Sequence, residues 1–304
     1  MATLREIKRR ISGVKSTEKI TKAMKMVAAA KLRRAQSAFL AARPYSRKLG
    51  ELVNHLAGGT ELDENPLVVE RPVNGVAIIV IAADRGFCGS FNSNIIKATI
   101  EHVRANYAEL YRSGRVKLFT VGKKSSDFFS KRNYEIAGSY SGIFHDLKFS
   151  TAKKLAAEVV KGYLDGSFDR VDVVYSEFKS VMHQNLAIDR FLPIQKESLK
   201  TDRPAPKDGH FPMHVELQYI YEPSITSIIE SLLPKQLEFQ IWRMLLESNA
   251  AGEGARMAAM DSASENATEL ISTLSLQYNK ARQAAITKEL LEVVSGAEAL
   301  NAAG

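Results

Sequence analysis

Cysteine is almost absent from this chain of 304 residues, since Cys88 is the only one. A single cysteine excludes an internal disulfide and a cysteine-based zinc site, and it is typical of proteins in a reducing compartment. No hydrophobic run approaches the roughly 20 residues that a membrane-spanning helix needs. The first 30 residues lack a hydrophobic stretch and are rich in lysine and arginine, unlike a secretory signal. We therefore expect a soluble protein, with 45% hydrophobic residues to form a core.

The motifs of catalytic and metal sites are also missing. The six histidines form no HExxH pair, and Pro212 separates His210 from His214, which argues against a metal-binding helix there. The sequence contains no GxSxG motif, and no pair of carboxylates suggests acid–base chemistry. The sequence therefore predicts no active site, no metal and no cofactor.

The stretch IAADRGFCGSFNSNI, residues 81–95, has the outline of a nucleotide-binding loop. A hydrophobic run ends, a turn with glycines follows, and an amphipathic segment begins. A phosphate loop needs GxGxxG or GxxxxGK[ST], and Gly86 with Gly89 satisfies neither spacing. We therefore expect a tight turn from a strand into a helix, with Asn92 or Ser93 as the N-cap.

Two weaker signals in the same region also fail as functional motifs. The stretch VGKKSS, residues 121–126, resembles the end of a phosphate loop, but Lys124 takes the Ser/Thr position and Lys117 stands where the first glycine belongs. Cys88 as a nucleophile needs a nearby base, which the sequence does not place. We expect Cys88 to be a small packed residue in the turn.

Positive charge is concentrated at the start of the chain. Residues 1–50 contain fourteen lysines and arginines but only two acids, Glu6 and Glu18. Such a segment is expected to contact something anionic: nucleic acid, a lipid surface or an acidic protein surface. Residues 1–38 contain no aromatic residue, which disfavours single-stranded nucleic acid but leaves a duplex backbone open.

Hydrophobic periodicity predicts a long helix at each end of the chain. Residues 2–56 form the first, with a heptad seam at Leu4, Ile7, Ile11 and Val14 that slips into a new register at Ile20, Met24 and Val27. Pro44 predicts a kink or break near Arg43. The C-terminal helix covers residues 224–304, with a seam at Met260, Ala263, Ala267, Leu270, Leu274, Gln277 and Ala281.

The predicted lengths exceed what a compact domain can hold. At ~1.5 Å per residue, residues 2–56 span roughly 80 Å and residues 235–300 roughly 100 Å. Two such helices at opposite ends of the chain predict an antiparallel coiled coil. Its alanine-rich seam lets the backbones approach closely, which indicates a thin rod that fits inside a surrounding structure.

The middle of the chain predicts an α/β domain with a parallel or mixed sheet. Short β-branched runs predict strands at 76–84, 116–122 and 171–178, with helices near 93–112, 123–132 and 150–165. Residues 186–194 are predicted to add an edge strand, and 196–214 to form a loop. The predicted domains are a helix at 1–57, the α/β domain at 75–195 and a helix at 215–304.

Three segments together resemble one known family. IKRRISGVKSTEKITKAMKMVAAAKLRRAQ at 7–36, DRGFCGSFN at 84–92, and a long C-terminal stretch with YNKARQAAITKEL and VSGAEA at 255–300 are similar to the gamma subunits of F-type ATP synthases. The resemblance covers the whole chain in order. Small departures are Ala83, where many relatives have serine, and Phe87, where many have leucine.

The resemblance implies a fold and a function. The terminal helices form an antiparallel coiled coil in the cavity of the α3β3 hexamer, and the inserted Rossmann-like domain is a foot that meets the epsilon subunit and the c-subunit ring. The chain is then a non-catalytic rotor of the F1 sector, CF(1), that couples hydrogen ion transport to ATP synthesis. It acts on the cytoplasmic side of a bacterial inner membrane, and it lacks the regulatory cysteine pair of the chloroplast form.

The resemblance also implies site residues. Lys19, Lys22 and Lys25 around Met24 match the region that passes an acidic loop of the beta subunits. Further residues match positions that bind beta or couple through the shaft: Arg256, Arg282, Gln283, Thr287 and Glu289. The residues expected in the foot's contacts with epsilon and the c ring are Asp84, Arg85, Gly86, Cys88, Gly89 and Asn92.

Two alternatives to a rotor follow from the residues alone. One is a basic coiled-coil protein that binds nucleic acid, which the N-terminal charge favours. The other is a Rossmann-type enzyme or nucleotide sensor, which the alternation of strands and helices favours.

Overall fold

The computed structural model describes residues 3–57, 65–180, 184–195, 222 and 224–303. These residues divide into two compact units, one made of residues 1–29 with 256–304 and the other of residues 30–255. Helix α1 (Leu4–Ala57) and helix α6 (Ile225–Ala303) each contribute to both units. The three predicted domains, 1–57, 75–195 and 215–304, have boundaries at the ends of the terminal helices, and this division remains a prediction. The two compact units instead have boundaries inside both terminal helices. The loop predicted at 196–214, with His210 and His214, lies outside the described residues.

The second unit contains a five-stranded sheet with the strand order β3-β2-β1-β4-β5. Its first four strands are parallel, and β5 runs antiparallel to β4 at one edge. The fold class is therefore the predicted one, and the edge strand is confirmed. The strands are β1 (Val76–Ile81), β2 (Val116–Val121), β3 (Glu135–Tyr140), β4 (Arg170–Phe178) and β5 (Gln184–Leu192).

Helices cover both faces of this sheet. The helices that connect the strands are α2 (Phe91–Asn106), α3 (Ala108–Arg112), α4 (Lys123–Phe129) and α5 (Phe149–Leu164), with a 3-10 turn at Ile143–His145. All six residues of β1 are fully buried, as expected for the central strand of a sheet covered on both sides. One core cluster joins the sheet to α5, the end of α1 and the start of α6, and the other joins it to α2.

Helix α1 runs through Pro44 to Ala57, so the predicted break near Arg43 is wrong, whereas a kink there stays a prediction. A proline inside a helix costs about 3 kcal/mol. The segment after Pro44 recovers more than this, because Leu49, Val53 and Leu56 are buried and each contributes about 1.5–3 kcal/mol. The ring of Tyr45 also stacks on Phe239 with 4.2 Å between centroids.

A buried carboxylate lies at the start of β4. Asp172 is 1% exposed, and its oxygens contact His102 Nε2 at 2.8 Å, the Tyr107 hydroxyl at 2.6 Å and Arg170 Nε at 3.2 Å. Burial opposes ionisation of this carboxyl group, but the hydrogen bonds from His102 and Tyr107 and the charge of Arg170 outweigh it, so the pKa of Asp172 is lowered. Asp172 is therefore ionised, and its contacts hold β4 against α2.

In the first unit, the α1 seam keeps one heptad register, so the predicted slip is wrong. Ile20 and Val27 are 59% and 57% exposed. The seam instead continues from Val14 through Glu18, Thr21, Lys25 and Ala28. Hydrophobicity misled the prediction because three consecutive seam positions are polar.

The α6 seam is half as predicted. Met260, Ala267 and Leu274 are buried, but Leu270 is 47% exposed and Gln277 is exposed. The alternate seam positions belong to the residues one further along, namely Ser264, Ile271 and Tyr278. The prediction placed a three-residue step after Met260, whereas the structure has a four-residue step there, since Ser264 is buried and Ala263 only half-buried.

Candidate functional site

Polar side chains form three consecutive layers between α1 and α6 in the first unit. Thr268 Oγ1 donates to Glu18 Oε1 at 3.1 Å, Ser264 Oγ donates to Thr21 Oγ1 at 2.7 Å, and Lys25 Nζ donates to Asp261 Oδ1 at 2.5 Å. We call these six residues the polar seam. Partner numbers fall on α6 as they rise on α1, so the helices are antiparallel.

The three lysines predicted to face an acidic partner lie on this part of α1 but have different surroundings. Lys19 is exposed, and it has no ion pair among the described residues. Lys22 Nζ lies 2.6 Å from Glu18 Oε1, and Lys25 pairs with Asp261 across the helices. Met24 between them is half-buried.

The carboxylate of Glu18 is fixed by two donors. Hydrogen bonds from Lys22 and then from Thr268 lower the pKa of Glu18. The group therefore stays ionised to lower pH than an ordinary glutamate and keeps Lys22 paired.

The predicted C-terminal site residues do not join the lysines. Arg256 is 8% exposed, whereas Arg282, Gln283, Thr287 and Glu289 are exposed. Thr287 Oγ1 donates back to the Gln283 carbonyl at 2.9 Å. Arg282 lies about 21 Å along α6 from Thr268 at ~1.5 Å per residue. Residues 282–289 therefore form a surface separate from the lysines and nearer the end of α6.

Among the described residues, α1 does not extend alongside the last turns of α6 when their antiparallel pairing is continued. Continuing the antiparallel pairing places Ala281 at the level of the first turn of α1, which begins at Leu4. Beyond that level α6 presents apolar side chains that are 49% to 70% exposed, namely Ile286, Leu290, Leu291, Val293 and Val294. An exposed hydrophobic helix end of this kind is typical of a surface that a partner covers.

Asn92 holds the loop after β1, residues 82–90, and does not act as the N-cap of helix α2. Asn92 Oδ1 accepts from the Ala83 amide at 2.9 Å, and Asn92 Nδ2 lies 3.1 Å from Cys88 Sγ and 3.4 Å from the Arg85 carbonyl. The N-cap prediction is wrong, because α2 begins at Phe91 after Ser90, whose side chain makes no capping bond. Asn92 thus closes the loop onto itself.

Asp84 connects this loop to two others at the carboxyl edge of the sheet. Its carboxylate accepts from the backbone amides of Lys123 at 2.9 Å, Gly142 at 2.7 Å and Phe144 at 3.0 Å. Backbone amides at this edge bind the phosphate in nucleotide-binding α/β folds. Here a side chain of the protein itself occupies them.

The loop residues differ in exposure. Cys88 is buried at 2%, as predicted for a packed residue. Arg85 and Gly89 are exposed, and Gly86 is half-buried. Phe87 is 74% exposed and has a positive φ of 59°, which is unfavourable for a bulky residue. The loop therefore presents an aromatic ring outward on a tightly held backbone.

The crevice where α/β sheets of this topology bind ligands is filled. That crevice lies beyond the carboxyl ends of β1 and β4, where the strand order reverses. Ser248 Oγ on α6 donates to the Ile81 carbonyl at 3.3 Å. A Cβ on Gly252 would lie 3.4 Å from the Phe91 ring and 3.8 Å from Ala83 Cβ. Helix α6 thus packs where a nucleotide would bind.

The described residues contain neither a metal site nor a helix suited to a membrane. No group of three histidine, cysteine or acidic residues is placed to hold a metal ion. Among the helices in the described part of the chain, none is long and apolar enough to cross a membrane.

The family model for ATP synthase matches residues 3–300. The ATP synthase gamma chain of Chloroherpeton thalassium is 50% identical over 301 residues, covering 99% of both chains. That of Chlorobium phaeobacteroides strain DSM 266 is 52% identical with the same coverage. The chain belongs to the ATP synthase gamma chain family. As a gamma chain it is a subunit of the membrane-bound ATP synthase complex.

Solved structures show the same fold at low identity. A chain of the Euglena gracilis mitochondrial ATP synthase, solved with OSCP, F1 and the c-ring, has a TM-score of 0.64 at 20% identity and covers 98% of this chain and 95% of its own. A chain of the Tetrahymena thermophila mitochondrial ATP synthase central stalk and c-ring has a TM-score of 0.57 at 23% identity. It covers 81% of this gamma chain and 99% of its own length.

Sequence reasoning missed two features of these sites. The polar seam escaped because Glu18, Thr21 and Lys25 lack the hydrophobicity by which seams are recognised. The connection through Asp84 escaped because its three partners come from distant segments. A signal for the seam was present, since these three residues continue the spacing of Val14 without a break.

Proposed function

We propose that this chain is the central rotor shaft of an F-type ATP synthase. In that role it transmits torque between the ion-driven c ring and the α3β3 hexamer, for ATP synthesis or hydrolysis coupled to proton transport. The observation that carries this proposal is the 50% identity to a gamma chain along 99% of both sequences. Nothing in the comparisons favours a nucleic-acid-binding protein.

The helix pair of the first unit fits a shaft that works inside a narrow cavity. Its seam contains small residues, with Ala28 at 1%, Ser264 at 5% and Ala267 at 7% exposure, so the two backbones approach closely. The exposed apolar end of α6 fits a surface that a partner subunit covers. Lys19 and the other lysines fit an acidic loop of the beta subunits, and Arg282, Gln283, Thr287 and Glu289 fit contacts nearer the end.

The loop after β1 fits the role of a foot contact. Asp84 and Asn92 hold its backbone, and Arg85 and Phe87 project outward, so a partner meets a pre-ordered surface. We assign this surface to the epsilon subunit and the c ring, which would attach the chain to the cytoplasmic side of a bacterial inner membrane through the complex.

The chain has no active site of its own in this proposal. Ser248 and Gly252 of α6 pack in the crevice of the sheet, and the Asp84 carboxylate takes the amides that would bind a phosphate. Calorimetry of the isolated chain with ATP and with NAD should therefore give no stoichiometric binding. Tight binding of either nucleotide would contradict the non-catalytic assignment.

Rotation is the direct test of the shaft. Lys131 is exposed on the second unit, and Cys88 is 2% exposed, so a K131C variant takes a thiol-reactive gold particle at one site. With the hexamer fixed to a surface, ATP should drive unidirectional stepping of the particle. The unchanged chain, which has only Cys88, should take up no particle and is the matched control. ATP hydrolysis by a labelled complex whose particle stays still would overturn the proposal.

A further inference from the structure

The lysines that face the proposed acidic partner are not equally available to it. Lys22 is paired with Glu18 at 2.6 Å and Lys25 with Asp261 at 2.5 Å, whereas Lys19 has no ion pair among the described residues. Two of the three positive charges therefore already have a carboxylate of the same chain beside them.

The Lys25–Asp261 pair lies at the edge of the seam rather than inside it. The side chains of Lys25 and Asp261 are 38% and 43% exposed. A pair this exposed is held weakly, because solvent screens it and both side chains lose freedom. Asp261 therefore holds Lys25 weakly but not negligibly, and a competing carboxylate must first break this pair.

We propose that Asp261, supported by Glu18, is a positioning residue that restrains the shaft's attraction to the acidic beta loop. It holds Lys25 on the helix pair and offsets its charge, so that of these three lysines only Lys19 has no ion pair among the described residues. This inference rests on the proposed function and names a regulator of the same contact.

The physical need follows from rotation. In the proposed function the shaft passes three beta subunits in each turn. A strong contact with any one of them would slow rotation to the next. An unpaired lysine beside an acidic loop attracts it through most of a Debye length, about 8 Å at physiological salt. A lysine already paired with a carboxylate presents a weaker and shorter-ranged field.

The test uses the assembled complex with Asp261→Asn, which keeps the side-chain shape and removes its charge. Releasing Lys25 should slow ATP-driven turnover roughly two- to fivefold at low salt, in line with one exposed ion pair. The deficit should shrink as salt approaches about 1 M, where the Debye length is ~3 Å. Glu265→Gln is the matched control, because Glu265 is an exposed acid on the next turn of α6 with no ion pair among the described residues.

A double variant separates charge release from damage to the helix pair. Lys25→Gln with Asp261→Asn removes both charges, and it should turn over faster at low salt than Asp261→Asn alone. Asp261→Glu keeps the charge and should keep the wild-type salt profile. Wild-type turnover of Asp261→Asn at every salt concentration would overturn the inference, as would a double variant as slow as the single one. If the proposed shaft function is wrong, the complex without substitutions does not rotate, and this outcome is distinct from those above.

Discussion

Ser264 donates a hydrogen bond to Thr21 from the opposite helix, with 2.7 Å between the two hydroxyl oxygens. Both residues are buried, at 5% and 8% exposure. They form the middle layer of the polar seam, with Glu18–Thr268 on one side and Lys25–Asp261 on the other. Each hydroxyl also reaches a carbonyl of its own helix, Glu18 O for Thr21 and Met260 O for Ser264. The bond between the two hydroxyls forms in only one alignment of the helices, so it favours that register.

Replacing Ser264 by alanine should destabilise the helix pair by about 1 kcal/mol, since its hydrogen bond to Thr21 across the helices is lost. The free energy of unfolding from urea titration measures this. Thr21→Val combined with Ser264→Ala should cost no more than Ser264→Ala alone, because a side chain of similar shape replaces a threonine whose bond across the helices is already lost. Ser262→Ala, at an exposed position on the same turn, should change nothing. A double variant less stable than Ser264→Ala would contradict the seam's polar role.

Asp84→Asn should lower the stability of the second unit by about 1.5–3 kcal/mol. The substitution replaces a charged acceptor of three backbone amides by a neutral side chain with one acceptor oxygen. Chemical unfolding followed by the fluorescence of Trp242 reports on this unit. Asp127→Asn, an exposed acid on α4, serves as the control and should be neutral. Equal stability of the two variants would show that the Asp84 contacts contribute little.

The Asp172 network should make the second unit sensitive to acid. The pKa of Asp172 is lowered on folding, so its contribution is complete above the ordinary aspartate value of about 3.9. It is lost as pH falls through the lower folded value. Asp172→Ala should cost about 3 kcal/mol at pH 7 and flatten the decline in unfolding free energy below pH ~4. Asp165→Ala, at an exposed site, should leave the pH profile as it is.

Gly122→Ala should prevent the sheet from forming its observed carboxyl edge. Gly122 has φ +88°, and a Cβ there would lie 2.0 Å from the Ala82 carbonyl oxygen. Gly114→Ala is the control, since Gly114 also has a positive φ of 70° but nothing lies within 4 Å of its Cβ position. The control should cost about 1–2 kcal/mol and the test variant clearly more. Similar melting temperatures for the two would refute the close approach.

The local sequence pattern was sufficient to predict an element where one property, such as hydrophobicity, dominated the segment. The six hydrophobic residues of β1 are mostly β-branched, and a central strand buried on both faces needs that composition. Strand β3 was missed because EIAGSY includes Gly138 and is only partly buried. The α1 seam was misplaced after Val14 because hydrophobicity was expected to continue where Glu18, Thr21 and Lys25 take over.

The sequence by itself determined the two long terminal helices, the α/β segment between them, the basic start of the chain and the family. The helices, the α/β segment and the charge follow from composition and periodicity, which act locally, whereas the family follows from the resemblance of three sequence segments. Only the tertiary structure decided that Thr21 and Ser264 share a seam, that Asp84 joins three loops, and that α6 fills the crevice of the sheet. A polar group is stable in a buried position only when a partner meets it, and those partners come from segments far apart in sequence.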